Sequence, residues 1–157
     1  MLEDLSGGRG LDLAGLRRFL AAAQRAVGLR GRVGVRLMDD ASIRTLNQQF
    51  RGQDRPTDVL SFPSGEAGYR GDLAISLDTA ARQARTRHHG LDQEVRVLLL
   101  HGLLHLAGYD HETDDGQMRR RERDLRRQLG LPPGLIERQN RRKITNSGRK
   151  SLHVPDP

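Results

Sequence analysis

The stretch HGLLHLAGYDH, residues 101–111, places three of the chain's six histidines, His101, His105 and His111, in its most apolar part. On a helix, His101 and His105 would share one face about 5–6 Å apart. That gap suits two imidazoles gripping one tetrahedral ion. Gly108 can adopt positive φ, end the helix and turn the chain so that His111 returns to the same point. Three neutral imidazoles without a thiolate select zinc, and catalytic zinc sites take three protein ligands and leave a fourth position for water. Water held there titrates near neutrality and makes hydroxide available. The spacing therefore predicts one Zn2+ per chain on His101, His105 and His111. His88, His89 and His153 have no such spacing and read as surface residues.

The same HxxxHxxGxxH spacing occurs in metzincin proteases, where a Glu directly after the first histidine is the general base. Here that position is Gly102. The ligand pattern is shared, but peptide hydrolysis lacks its base, so a metalloprotease is the weaker reading.

The elements that must hold these residues can be read from hydrophobic period and caps. Leu13, Leu16, Leu20, Ala23 and Val27 recur at helical spacing behind Asp12, and Gly28 stops the run. Val33, Val35 and Leu37 alternate as a half-buried strand. Asp40 is expected to cap a helix through Ile43, Leu46 and Phe50. A loop follows at Gly52 and Pro56, then a short strand from Val59 to Phe62, a turn-rich PSGEAGYRG segment and a strand through Leu73, Ile75 and Leu77. A helix from Asp78 to about His89 breaks at Gly90. Asp92 is expected to cap the histidine-bearing helix, which runs to Gly108. A last helix starts near Asp114 or Asp115 on a stripe of Met118, Leu125 and Leu129, and Gly130 and Pro132–Pro133 end it. Three or four strands followed by about five helices predict a single α+β domain over residues 1–137. Residues 138–157 read as a basic, disordered tail.

Composition narrows the class further. The chain has 157 residues, enough for one real core, and no Cys, so neither disulfides nor thiolate metal sites are available. MLEDLSGGRG lacks the pattern of a signal peptide, and the longest apolar run is too short for a membrane span. A soluble, cytoplasmic protein is expected. Residues 1–116 carry 15 basic and 16 acidic side chains, whereas residues 117–157 carry 12 and four. Of the 27 basic residues only Lys143 and Lys150 are Lys. Guanidinium groups bind phosphate bidentately and stack on bases, so an Arg-rich end suggests a polyanion partner. Within it, Arg119, Arg120, Arg121 and Arg123 of RRRERDLRRQ are the candidates for RNA backbone, against a solvated face of Arg–Glu pairs.

Three ordered blocks carry a family resemblance. HGLLHLAGYDHETDD resembles the HGxLHLxGYDH signature of the YbeY family of bacterial endoribonucleases. FRGQDRPTDVLSFP, residues 50–63, resembles that family's loop-and-strand block, and GDLAIS, residues 71–76, its next strand. The resemblance implies a small domain with a mixed four-stranded sheet and one zinc on His101, His105 and His111. It implies cleavage of single-stranded RNA in maturation of the 3′ end of 16S ribosomal RNA and in ribosome quality control, on the small subunit. Ribosomal-protein and GTPase partners are implied by the family alone. The functional Arg of the RG-D-PT block falls on Arg51. The basic extension after Arg138 is outside the signature.

RNA cleavage needs a nucleophile and stabilisation of phosphorane-like charge. Zinc-bound water is the expected nucleophile or base, and Arg51 is expected to hold the non-bridging phosphate oxygens, with an ion pair to Asp54 or Asp58 as its structural alternative. Asp110 is expected either to orient a ligand imidazole or, in the preferred reading, to cap a turn. The non-enzymatic alternative is a ribosome-assembly factor whose zinc is structural, closed by Asp110, Asp114 or Asp115.

Overall fold

The computed structural model describes residues 1–5, 9–110 and 112–132. The expected tail 138–157, His111, His153 and the Pro133 half of the proline stop lie outside the described residues. Among those described, four strands and five helices form one α+β unit. The strands are β1 (Leu2–Asp4), β2 (Arg32–Met38), β3 (Val59–Pro63) and β4 (Tyr69–Ser76). The helices are α1 (Leu13–Val27), α2 (Asp40–Arg51), α3 (Leu77–Arg87), α4 (Leu91–Leu106) and α5 (Gln117–Leu129).

The sheet order is β1-β2-β4-β3, with β1–β2 and β2–β4 parallel and β3–β4 antiparallel. Strand β1 was not expected from sequence. Three residues show no period; Leu2 becomes a strand residue by pairing with Val35 and burying its side chain to 5% exposure.

Alternation along the strands builds two faces. Val33, Val35, Leu37, Val59, Leu73 and Ile75 join a core with α1, α3 and α4. Met38, Leu60 and Ala74 point the other way and pack with Ile43 of α2. Thus, among the described helices, α2 alone packs on that second face.

Helix α4 is apolar on almost every side, the mark of a helix surrounded by protein. Leu98, Leu99 and Leu103 meet the main core, while Leu100 and Leu104 meet Met118 and Leu125 of α5.

Several boundaries differ from the sequence reading. Asp39 caps α2 through Ser42 N at 2.8 Å, and Asp40 is the first helical residue. Released from capping, Asp40 accepts from Ser76 Oγ, Thr79 Oγ1 and Arg82 Nη2 at 2.6, 2.7 and 2.8 Å. Gly90, not Asp92, precedes α4 and offers no side-chain cap. Leu77 begins α3 instead of ending β4, because Ser76 caps that helix at Thr79 N. Phe50 is 61% exposed and is no core residue.

Candidate active site

Helix α4 delivers the expected pair. His101 is fully buried and His105 is 4% exposed. Their rings meet edge to face with centroids 4.7 Å apart, and the two Nε2 atoms are 3.1 Å apart. Nitrogens bound tetrahedrally to one zinc at 2.0–2.1 Å stand about 3.3–3.4 Å apart. The observed separation is a few tenths of an ångström shorter and is also that of an N–H···N hydrogen bond between the two rings.

The third expected ligand, His111, lies outside the described residues, and the described residues alone bring no three His, Cys, Asp or Glu groups into a metal-binding cluster. The turn leading to it is as expected. Helix α4 ends at Leu106, and Gly108 takes φ 98°.

Glu122 was missed by sequence reasoning. It sits on α5 with 1% exposure, and its Oε2 lies 3.2 Å from His101 Nδ1. An ionised carboxylate can only accept, so it pairs with the tautomer that carries the proton on Nδ1 and keeps the Nε2 lone pair facing His105. Histidines that bind metals are usually held in this way by a carboxylate on the second ring nitrogen. The signal was present in sequence: Glu122 lies four residues after Met118 and three before Leu125, inside the apolar stripe. All three are buried.

Gly102 has a packing reason. A Cβ there would come within 2.7 Å of Leu73 Cδ2 on β4. A side chain at the position where a metzincin carries its Glu would have to displace Leu73, which counts against the protease reading on packing as well as chemistry.

The carboxylates considered as closing ligands are mostly engaged. Asp110 Oδ1 accepts from Glu112 N at 3.1 Å, the turn-capping role preferred from sequence. Both oxygens of Asp114 accept backbone amides, from Gly116 at 2.8 Å and Met118 at 3.0 Å, so Asp114 fixes the start of α5. Asp115 is exposed.

Arg51 is the last residue of α2 and is half-buried. The 52–58 loop carries the chain from it to β3, where Ser61 Oγ lies 3.5 Å from Gly102 O of α4. Asp54 pairs with Arg44 at 2.8 Å. Asp58 is fully buried; its carboxylate accepts from Val59 N at 2.8 Å and Gln83 Nε2 at 3.1 Å, fixing the entry to β3.

On α5, Arg119 is exposed, Arg120 donates to Asp115 O at 3.2 Å and Arg123 is half-buried. Arg121 reaches across to donate to Ala26 O at 2.8 Å and ties α5 to α1. His89 departs from expectation: its Nε2 lies 2.7 Å from Oε1 of the buried Glu94, with 11% of the side chain exposed. No helix among the described residues is long and apolar enough to cross a membrane.

Fold and site together define a small α+β domain built around a buried imidazole pair held by a carboxylate from a neighbouring helix. The family model described as Endoribonuclease YbeY matches residues 14–130. Endoribonuclease YbeY of Koribacter versatilis is 49% identical over 129 residues, covering 82% of this chain and 85% of that protein. Endoribonuclease YbeY of Solibacter usitatus is 50% identical over 123 residues, covering 78% and 83%. The solution structure of TM1509 from Thermotoga maritima is similar at TM-score 0.60 and 32% identity, covering 96% of this chain and 100% of that one. The chain belongs to the YbeY family.

Proposed function

We propose that this protein is a zinc-dependent endoribonuclease that cuts single-stranded RNA, acting in maturation of the 16S ribosomal RNA 3′ end and in ribosome quality control in the cytoplasm. The observation that carries this reading is the buried His101–His105 pair, with Nε2 atoms 3.1 Å apart and Glu122 on the far nitrogen of His101. It occurs in a chain whose relatives bear the name endoribonuclease.

His101, His105 and His111 would hold one zinc. When bound, such an ion supplies a Lewis acid that lowers the pKa of water and draws charge from a phosphoryl oxygen. Glu122 keeps the His101 proton on Nδ1 and so keeps Nε2 available. Both oxygens of Asp114 and Oδ1 of Asp110 accept backbone amides, which favours a site left open to substrate over one closed by a protein oxygen. Arg51 donates a planar pair of N–H groups to the non-bridging oxygens of the scissile phosphate as negative charge grows there. Arg119, with Arg120 and Arg123 beside it, meets RNA backbone away from the cut. Single-stranded ribosomal RNA on the small subunit is the partner this implies.

The test is cleavage of single-stranded and duplex RNA by zinc-loaded protein, chelated protein, His105→Ala and Arg51→Ala. Cleavage of single strands should vanish on chelation and in His105→Ala, and fall about 10²–10³-fold in Arg51→Ala. Cleavage that survives chelation and His105→Ala alike would refute the metal centre. RNA that binds but is never cut would turn the assignment to a non-catalytic assembly factor.

A further inference from the structure

Helix α2 covers only part of its sheet face. Where it stops, a groove of about 280 Å³ opens, lined by Arg36, Leu46, Phe50, Phe62, Asp72 and Ala74. A second cavity of about 180 Å³ continues from it along β2, sharing Arg36 and Asp72 and adding Tyr69, Arg32 and Glu3. None of these residues serves the imidazole site, which lies beneath the opposite face.

The make-up of this surface is unusual for a solvated sheet. The chain has five aromatic side chains, and three of them, Phe50, Phe62 and Tyr69, are gathered here. Phe50 and Phe62 meet edge to face at 5.2 Å between centroids, and Phe50 is 61% exposed. The Arg32 guanidinium lies 5.8 Å above the Tyr69 ring. Tyr69 donates its hydroxyl to Asp72, and the pair lies across β2 at Gly34, where any Cβ would overlap both side chains. That glycine keeps the surface flat. Arg36 is exposed, and its side chain makes no hydrogen bond to the described residues.

A flat apolar floor with a guanidinium and a carboxylate on its rim matches a nucleobase: the ring faces stack on aromatics, and the base edge carries both acceptors and donors. The groove is slightly smaller than the roughly 300–1,000 Å³ of pockets for drug-sized ligands, so it accepts one planar ring and not a bulkier group. Exposed Arg32 and Arg36 supply the positive charge that a phosphate backbone requires. A sheet face presenting aromatics among basic residues is one established way of binding unpaired RNA.

We propose that the half of the sheet left open by α2 is a nucleobase platform for single-stranded RNA. One base enters between Phe50 and Phe62 with its edge toward Arg36 and Asp72, and the strand continues over Tyr69 and Arg32. The proposal rests on the RNA reading above and adds to it a docking surface on the α2 side of the sheet.

The test uses the full zinc-loaded chain. Binding of a labelled unpaired oligoribonucleotide is measured by fluorescence anisotropy, and an oligonucleotide bearing 5-iodouridine is photocrosslinked and its attachment peptides mapped. Phe50→Ala should weaken single-strand binding about 5- to 160-fold, the range expected for losing one stacked base. Arg36→Ala, on a different element from Arg51, should weaken it by a similar factor through loss of the base-edge contact. Crosslinks should fall on peptides carrying Phe50, Phe62 or Tyr69. Both substitutions are at exposed positions, so a melting curve matching the parent's verifies folding. Parent-like affinity in both variants, with crosslinks confined to α5, would overturn the platform and leave the RNA reading standing. Failure of the parent protein itself to bind RNA would remove both.

Discussion

Glu122→Gln tests whether α5 tunes the imidazole pair or merely packs against it. The carboxylate is 1% exposed, meets His101 Nδ1 at 3.2 Å through Oε2, and leaves Oε1 buried without a hydrogen bond to the described residues. Gln has the same shape and can still offer a carbonyl oxygen to the Nδ1 proton. What it loses is charge, and charge-assisted hydrogen bonds are roughly twice as strong as neutral ones. A weaker acceptor makes Nε2 a poorer donor to a metal. Loss of such a partner typically lowers metal affinity about 10–100-fold, or about 1.4–2.7 kcal/mol. The assay is zinc competition against a chelator of known affinity, paired with thermal melts at fixed free zinc and without metal. The zinc-dependent part of the stability should fall by that same amount, while the metal-free melt changes little or rises, since an incompletely compensated buried carboxylate has been removed. Zinc affinity within twofold of the parent's would refute the argument. So would equal destabilisation with and without zinc, which would make Glu122 a packing residue.

Gly102→Ala should lower urea-unfolding stability by about 1–3 kcal/mol, because the new methyl would sit 2.7 Å from Leu73 Cδ2; an unchanged midpoint would mean β4 yields freely. Burial pushes the Asp40 carboxyl up, but the donors on Ser76, Thr79 and Arg82 outweigh it and hold it below the ordinary value of 3.8. Its stabilisation is therefore complete above pH 3.8 and is lost as pH falls through the lower folded value. Asp40→Asn should destabilise the protein at neutral pH and flatten that acid limb, as followed by melting temperature from pH 2 to 7; an unchanged acid limb would remove Asp40 from the linkage. Arg119→Gln should leave stability alone and reduce the salt slope of RNA binding by nearly one. Arg121→Ala, which breaks the bond to Ala26 O, should instead lower the melting temperature; the reverse pattern would exchange their roles.

Local chemistry was legible wherever one element carried it whole. The i, i+4 spacing of His101 and His105 needs only a helix to bring them together, and the caps at Asp12, Gly28 and Gly130 act within a few residues of themselves. Alternation alone assigned Val33, Val35 and Leu37 to one strand face, and the three sequence blocks pointed to the family that the comparisons show. Adjacent Asp39 and Asp40 were less legible, because either can cap α2. The choice fell to Ser76, Thr79 and Arg82, which arrive from β4 and α3 to occupy Asp40.

Tertiary structure decided what depends on two elements meeting. Glu122 is 21 residues from His101, and among the arginines of α5 its charge suggested a solvated face; only the packing of α5 on α4 turns it inward. Gly102 read as a missing catalytic base and is also a gap cut for Leu73. Phe50 matched the helical period yet lies open, because α2 ends before it can cover the sheet. Periodicity encodes which side of an element is apolar, but not how far its partner extends, and that extent determines which charges are buried and which rings stay open to solvent.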